Sequence, residues 1–86
     1  MALEIIGAEG GVIGKMEAAI RAALPDSQVS VKPGGAGHFE VSVVAEAFRG
    51  RSMVQQHQLV YGAIAPLMAG DAPPVHAIDR LTTSAP

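Results

Sequence analysis

Three histidines are the side chains of this sequence best suited to bind a metal or move a proton: His38, His57 and His76. His38 ends a glycine-rich stretch, where a solvated strand-edge residue and a ligand are equally good interpretations. His76 follows two prolines that fix the path of the chain, and it too is open to a structural or a functional role. His57 lies among glutamines, a pattern that favours a partly buried side chain hydrogen-bonded to a neighbouring element. Their spacing matches no short ligand motif, so only the fold could bring them together.

The rest of the sequence argues against an enzyme. It contains no cysteine, which excludes thiol catalysis, disulfides and thiolate ligation by this chain. Ser52 lies in a helix-capping context, not in a nucleophile elbow, and the carboxylates show no paired arrangement. We therefore predict that the protein is not an enzyme. Any soft metal centre would need sulfur from another molecule.

The charge and hydropathy of the sequence limit the kinds of partner and cellular location that can be expected for the protein. The formal net charge is −2, unlike the basic surface of a typical nucleic-acid binder. Arg49 and Arg51 flank Gly50 ahead of a predicted helix and could contact DNA, although a solvated loop is the favoured interpretation. No apolar run approaches the roughly 20 residues of a membrane span, and the first residues lack the pattern of a secretory signal. A cytoplasmic location is the expectation.

Two helical patterns and three strand patterns must position these residues. Residues 1–11 show no clear period and are predicted to be a loosely ordered lead-in. A helix is predicted from Val12 to Leu24, where Pro25 ends it. Polar and apolar residues then alternate over 28–32 and 39–44, which predicts an antiparallel hairpin around the flexible loop 33–37.

The second half predicts a helical region followed by a third strand. Ser52 and Gln55 have the spacing of a capping box. Pro66 should bend or split the helical region into two pieces. One helix face is predicted to comprise Val54, Gln58, Tyr61 and Ile64. Alternation over 75–82 predicts the last strand, with Val75, Ala77 and Leu81 opposed to His76, Ile78 and Arg80. The element order α-β-β-α-α-β predicts an α+β sandwich, a three-stranded mixed sheet with helices on one face.

Four segments together resemble the BolA family, and the glycine-rich loop is most similar to its YrbA-like branch. The segments are His38-Phe39-Glu40-Val41, Phe48-Arg49-Gly50, Val54-Gln55-Gln56-His57-Gln58-Leu59-Val60-Tyr61 and Val75-His76-Ala77-Ile78. The match covers residues 12–83 and leaves 84–86 as a short tail. This resemblance implies a class II KH-like fold. It also implies partnership with a monothiol glutaredoxin, in a heterodimer that shares a [2Fe-2S] cluster, with no cofactor and a monomeric state when the chain is alone.

The resemblance also implies where the cluster ligands lie. Glutaredoxin and a bound glutathione supply thiolates, and the histidine of the His-Ala-Leu segment, here His76, supplies one of the remaining ligands. The other comes from the hairpin loop, where relatives carry a Cys or His and this sequence has Ala36, so His38 is the nearest substitute. The family implies cluster trafficking, iron-responsive regulation or stress response. The alternative it offers is a DNA-binding transcriptional regulator acting through the helical region, with Arg49 and Arg51 as contacts.

Overall fold

The first helix starts earlier than the sequence predicts. A computed structural model describes residues 8–86, so the first seven residues of the predicted lead-in at residues 1–11 lie outside the described part. Helix α1 spans Ala8–Ala23 and begins ahead of the predicted start at Val12. Met16, Ile20 and Leu24 are buried at helical spacing, as predicted. Helix α1 therefore contributes one apolar stripe to the core.

The sheet has the predicted mixed pairing. Strand β1 spans Gln28–Pro33 and pairs antiparallel with β2, His38–Val44. Strand β3 spans Ala77–Ser84 and pairs parallel with β2, which is the central strand of the order β1-β2-β3. Phe39, Val41 and Val43 of β2 are buried and alternate with more exposed residues. The helices therefore cover one face of the sheet.

Strand β3 departs from the alternation that the sequence predicts. Phe39 pairs with Ile78 and Glu40 pairs with Arg80, so Asp79 has no partner residue in β2. Such an extra residue is a β-bulge, and it shifts all later side chains by one position. Ile78 and Leu81 consequently both pack against the core. The prediction that they face opposite sides is therefore wrong.

The second helix begins where the sequence predicts. Helix α2 spans Met53–Met68 and follows a 3-10 turn at Glu46–Phe48. The Gln55 backbone N–H donates to the Ser52 hydroxyl (3.2 Å), and the Ser52 N–H donates to the Gln55 side-chain oxygen (3.1 Å). This reciprocal pair is the predicted capping box, and it satisfies two N–H groups at the helix start.

Helix α2 is continuous, so the predicted split into two helical pieces is wrong and the element order is α-β-β-α-β. Pro66 removes the hydrogen bond to the Gly62 carbonyl, but the helix ends at Met68, so only its last turn is affected. Of the face predicted to comprise Val54, Gln58, Tyr61 and Ile64, only Ile64 is buried. Val54 and Tyr61 are exposed, whereas Val60 and Ile64 are buried.

None of the described helices is long and apolar enough to cross a membrane. One hydrophobic cluster connects both helices with the sheet. The buried members come from both helices, the central strand β2, the 3-10 turn and the connecting segments: Met16, Ile20, Leu24, Phe39, Val41, Val43, Ala45, Phe48, Val60, Ile64 and Val75. Val75 is fully buried immediately before His76, and its N–H donates to the Leu67 carbonyl at the end of α2. The core therefore anchors the chain on entry to the segment that carries His76.

Candidate functional site

Gly37 joins the hairpin loop to the start of β3. Its carbonyl oxygen accepts hydrogen bonds from the backbone N–H groups of His76 (2.8 Å) and Ala77 (3.1 Å). The loop is also closed at its base, because the Gly34 N–H donates to the His38 carbonyl over 2.8 Å. These backbone contacts bring His38 and His76 to the same end of the sheet.

His76 is exposed, and its ring lies against the loop. A Cβ atom placed on Gly37 would be only 2.9 Å from both Cγ and Cδ2 of His76. None of the side-chain hydrogen bonds within residues 8–86 involves this imidazole. The ring therefore lies against Gly37, while its two nitrogens have no side-chain hydrogen-bond partner among the described residues and can meet a ligand.

His38 is tied to a second side chain that the bulge provides. Its Nδ1 lies 2.9 Å from Oδ1 of Asp79, and both side chains are about half exposed, at 44% and 49%. A carboxylate can only accept a hydrogen bond, so Nδ1 carries the proton of this contact. In the neutral ring Nε2 then keeps its lone pair and can act as a ligand.

His57 does not join this group. Its Nε2 is buried and finds no hydrogen-bond partner in the described range, so the predicted hydrogen bond to a neighbouring element is absent at that atom. The end of α2 near Leu67 contacts Val75, beside His76. His57 is ten residues before Leu67, about 15 Å along the helix axis. The structure therefore separates His57 from the other two histidines.

The two basic candidates are engaged within the chain. Arg49 forms an ion pair with Glu46 and also donates to the Pro86 carbonyl at 2.9 Å. Arg51 donates through Nε to the Ala47 carbonyl at 2.9 Å. The hydrogen bond and charge of Arg49 lower the pKa of Glu46, and Glu46 raises the pKa of Arg49. One of the two positive charges is thus balanced locally.

A shallow depression lies on the sheet surface away from these residues. Its volume is about 320 Å³, and it contains none of the histidines. Lys32 and Arg80 line it on either side of Glu40, which pairs with both across the sheet. Glu40 lies between the two basic side chains and balances one of them, which leaves the depression with one net positive charge.

The described residues do not form a complete metal site. Between residues 8 and 86 there is no group of three or more His, Cys, Asp or Glu side chains placed to hold a metal ion. His38 and His76 could contribute two imidazoles, and the remaining ligands would have to come from another molecule.

Comparison with known proteins identifies the family. The BolA-like protein family matches residues 19–86. BolA-like protein 1 of Bos taurus is 40% identical over 84 aligned positions, and that of Homo sapiens is 38% identical. Each alignment covers 83% of this chain but only 60% and 59% of the relatives, so the chain spans about six-tenths of their length.

Solved structures agree with the fold. A BolA homologue from Coxiella burnetii has a TM-score of 0.66 and 33% identity, with 83% of this chain and 86% of that chain covered. BolA1 from Arabidopsis thaliana has a TM-score of 0.69 with 95% of each chain covered, and at 20% identity it supports the fold alone. The architecture is thus the class II KH-like fold of these proteins. The α-β-β-α-β order, the mixed sheet and the family match agree, and the chain belongs to the BolA-like protein family.

Proposed function

We propose that this protein is a non-enzymatic adaptor that binds a monothiol glutaredoxin and supplies His76 to a shared [2Fe-2S] cluster. The observation that carries the proposal is the exposed His76 imidazole, which is packed against Gly37 and has no hydrogen-bond partner in the described structure. An imidazole that is already oriented loses little conformational freedom when it binds a metal. Family membership supports the same role.

The residues present fit such a cluster. Two imidazoles on one iron and two thiolates on the other are an established ligand set for [2Fe-2S] centres, with a higher potential than an all-thiolate set. This chain has no cysteine, so the glutaredoxin and glutathione would supply both thiolates. The cluster, when bound, would supply one-electron redox chemistry or serve as the cargo itself.

His38 is the proposed second ligand in place of the loop cysteine or histidine. Ala36 cannot bind a metal through its side chain, and His38 is the first residue after the loop that can. The contact with Asp79 places the proton on Nδ1 and leaves Nε2 for the iron. Because this ligand lies beyond the loop, we expect a more labile cluster than one held by a loop cysteine.

The test is a titration of cluster-loaded monothiol glutaredoxin, with glutathione, followed by visible circular dichroism. The wild-type chain should change the spectrum, and His76→Ala should abolish that change. Gln58→Ala is a matched control, because Gln58 is exposed on α2 and lies outside the site. An unchanged spectrum with the wild-type chain would disprove the proposal.

DNA binding through Arg49 and Arg51 is the weaker alternative. Glu46 balances the charge of Arg49, and the net charge of −2 opposes approach to a phosphate backbone. A DNA titration at low salt tests this alternative. Binding that weakens steeply with salt and on replacing both arginines by alanine would favour a regulator. The proposal also carries several expectations: the YrbA-like branch, a role in iron-responsive regulation, a cytoplasmic location, and a monomer that forms a heterodimer with its partner.

A further inference from the structure

We infer that Gly37 is a positioning residue for His76, a role that rests on the proposed function of His76 as a cluster ligand. Gly37 meets His76 in two ways. Its carbonyl accepts the His76 N–H, which fixes the backbone, and its Cα faces the imidazole, which fixes the ring. Metal-binding histidines are usually oriented by such outer contacts, and losing one weakens metal affinity.

The contact leaves no room for a side chain at this position. The three atoms of His76 nearest to a Cβ built on Gly37 are Cδ2 and Cγ at 2.9 Å and Cβ at 3.2 Å. A Cβ atom essentially never comes closer than 3.0 Å to a heavy atom of a residue that is not its chain neighbour. A larger residue at position 37 would therefore displace the imidazole ring. All three of the nearest His76 atoms are carbons, so the contact with Gly37 leaves both ring nitrogens available as ligands.

The backbone at Gly37 adds a second requirement. Its φ of +74° lies in the left-handed region, which costs a residue with a Cβ atom energy whatever the space around it. The chain provides controls that separate the two effects. Gly50 has a similar φ of +79° with no atom within 4 Å of an added Cβ, and Gly35 has neither a positive φ nor a close contact.

The experiment compares Gly37→Ala with Gly50→Ala and Gly35→Ala in the full chain. Without any partner, the NMR signals of the His76 ring and its cross-peaks to residue 37 should change only in Gly37→Ala. With cluster-loaded glutaredoxin, Gly37→Ala should weaken binding by about tenfold, whereas the two controls should bind like the wild type.

The outcomes distinguish this inference from the proposed function. If His76→Ala abolishes binding but Gly37→Ala binds like Gly35→Ala, then Gly37 does not position the ring, although His76 remains a ligand. If His76→Ala has no effect, the proposed function is wrong, and the ring signals in the unpartnered chain still report on the contact.

A double variant covers the case in which Gly37→Ala does not fold. His76→Ala removes Cγ and Cδ2, so the added methyl of residue 37 regains space. The urea midpoint should then fall less when Gly37→Ala is made in the His76→Ala background than in the wild type, and if Gly37→Ala alone does not fold, the double variant should still fold. An equal decrease of the urea midpoint in both backgrounds would show that backbone strain at residue 37, and not contact with the His76 ring, explains why glycine is needed at this position.

Discussion

The Nδ1 atom of His38 lies 2.9 Å from the Oδ1 atom of Asp79, a contact that joins the first residue of β2 to the bulge of β3. The two residues are 41 positions apart in the chain, so the parallel pairing of β2 and β3 is what brings them together. The contact selects the tautomer of His38 and limits the rotation of its ring. It makes Asp79 part of the candidate site.

Asp79→Ala should release the His38 ring. Without an acceptor at Nδ1, the neutral ring is expected to shift toward the Nε2-protonated tautomer, which cannot bind iron through Nε2. Ring nitrogen chemical shifts measure this change directly. Binding to cluster-loaded glutaredoxin should weaken by about tenfold if His38 is the second ligand. Arg80→Ala, at the next exposed position, is the control, and an unaltered tautomer in Asp79→Ala would contradict the prediction.

The Glu46–Arg49 pair should be visible in the titration of Glu46. The hydrogen bond and charge of Arg49 lower the pKa of Glu46, so Arg49→Gln should raise that pKa toward its ordinary value. Because the pKa of Glu46 is lower in the folded protein than in the unfolded chain, the pair stabilises the fold at pH values above the unfolded-state pKa. This stabilisation is lost as the pH falls through the folded-state pKa. Carboxyl carbon NMR measures the shift. Arg51→Gln should leave Glu46 unchanged, because Arg51 binds the Ala47 carbonyl instead.

Two apolar side chains of α2 should differ sharply in their contribution to stability. Ile64 is 0% exposed in the core, so Ile64→Ala is expected to lower the free energy of unfolding by about 2–5 kcal/mol. Val54 is 65% exposed, and Val54→Ala should change it by less than about 0.5 kcal/mol. Urea unfolding of the two variants measures both values. Similar losses would mean that the helix is rotated relative to the structure.

The capping box should stabilise the start of α2. Ser52→Ala removes the acceptor of the Gln55 N–H and is expected to cost about 0.5–2 kcal/mol of unfolding free energy. Gln55→Ala removes the reciprocal bond, and the two changes together should cost less than their sum because they break one unit. Thermal unfolding followed by circular dichroism provides the measurement, and strictly additive losses would argue against a coupled pair.

The features that the sequence predicted are those set by local chemistry. Alternation in β2 predicted one strand face with Phe39, Val41 and Val43, and the structure buries that face against the core. The capping box marked the start of α2 for the same local reason. The mixed sheet followed from element order, since a helical crossover favours a parallel return strand.

What the sequence did not predict depends on contacts between distant segments. Helix α2 has apolar residues on both sides, so Val54 and Tyr61 were as plausible in the core as Val60, and only packing against α1 and the sheet decides between them. The bulge at Asp79 and the Asp79–His38 contact have no local signal beyond two adjacent charged residues, Asp79 and Arg80, within the strand. The contact of Gly37 with His76 likewise needs the folded sheet. Residue type alone singled out His38 and His76, whereas their roles as ligands came from the family resemblance and stay predictions.

The bulge in β3 has an implication for how this end of the protein can vary. Asp79 is the one residue of the strand for which β2 offers no partner, so a chain lacking it could keep the pairs Phe39–Ile78 and Glu40–Arg80. Position 79 can therefore be changed, deleted or extended while Leu81 and Thr83 keep facing the core side of the sheet. Natural or engineered sequences could retune the surroundings of His38 at that point while the rest of the strand stays in register.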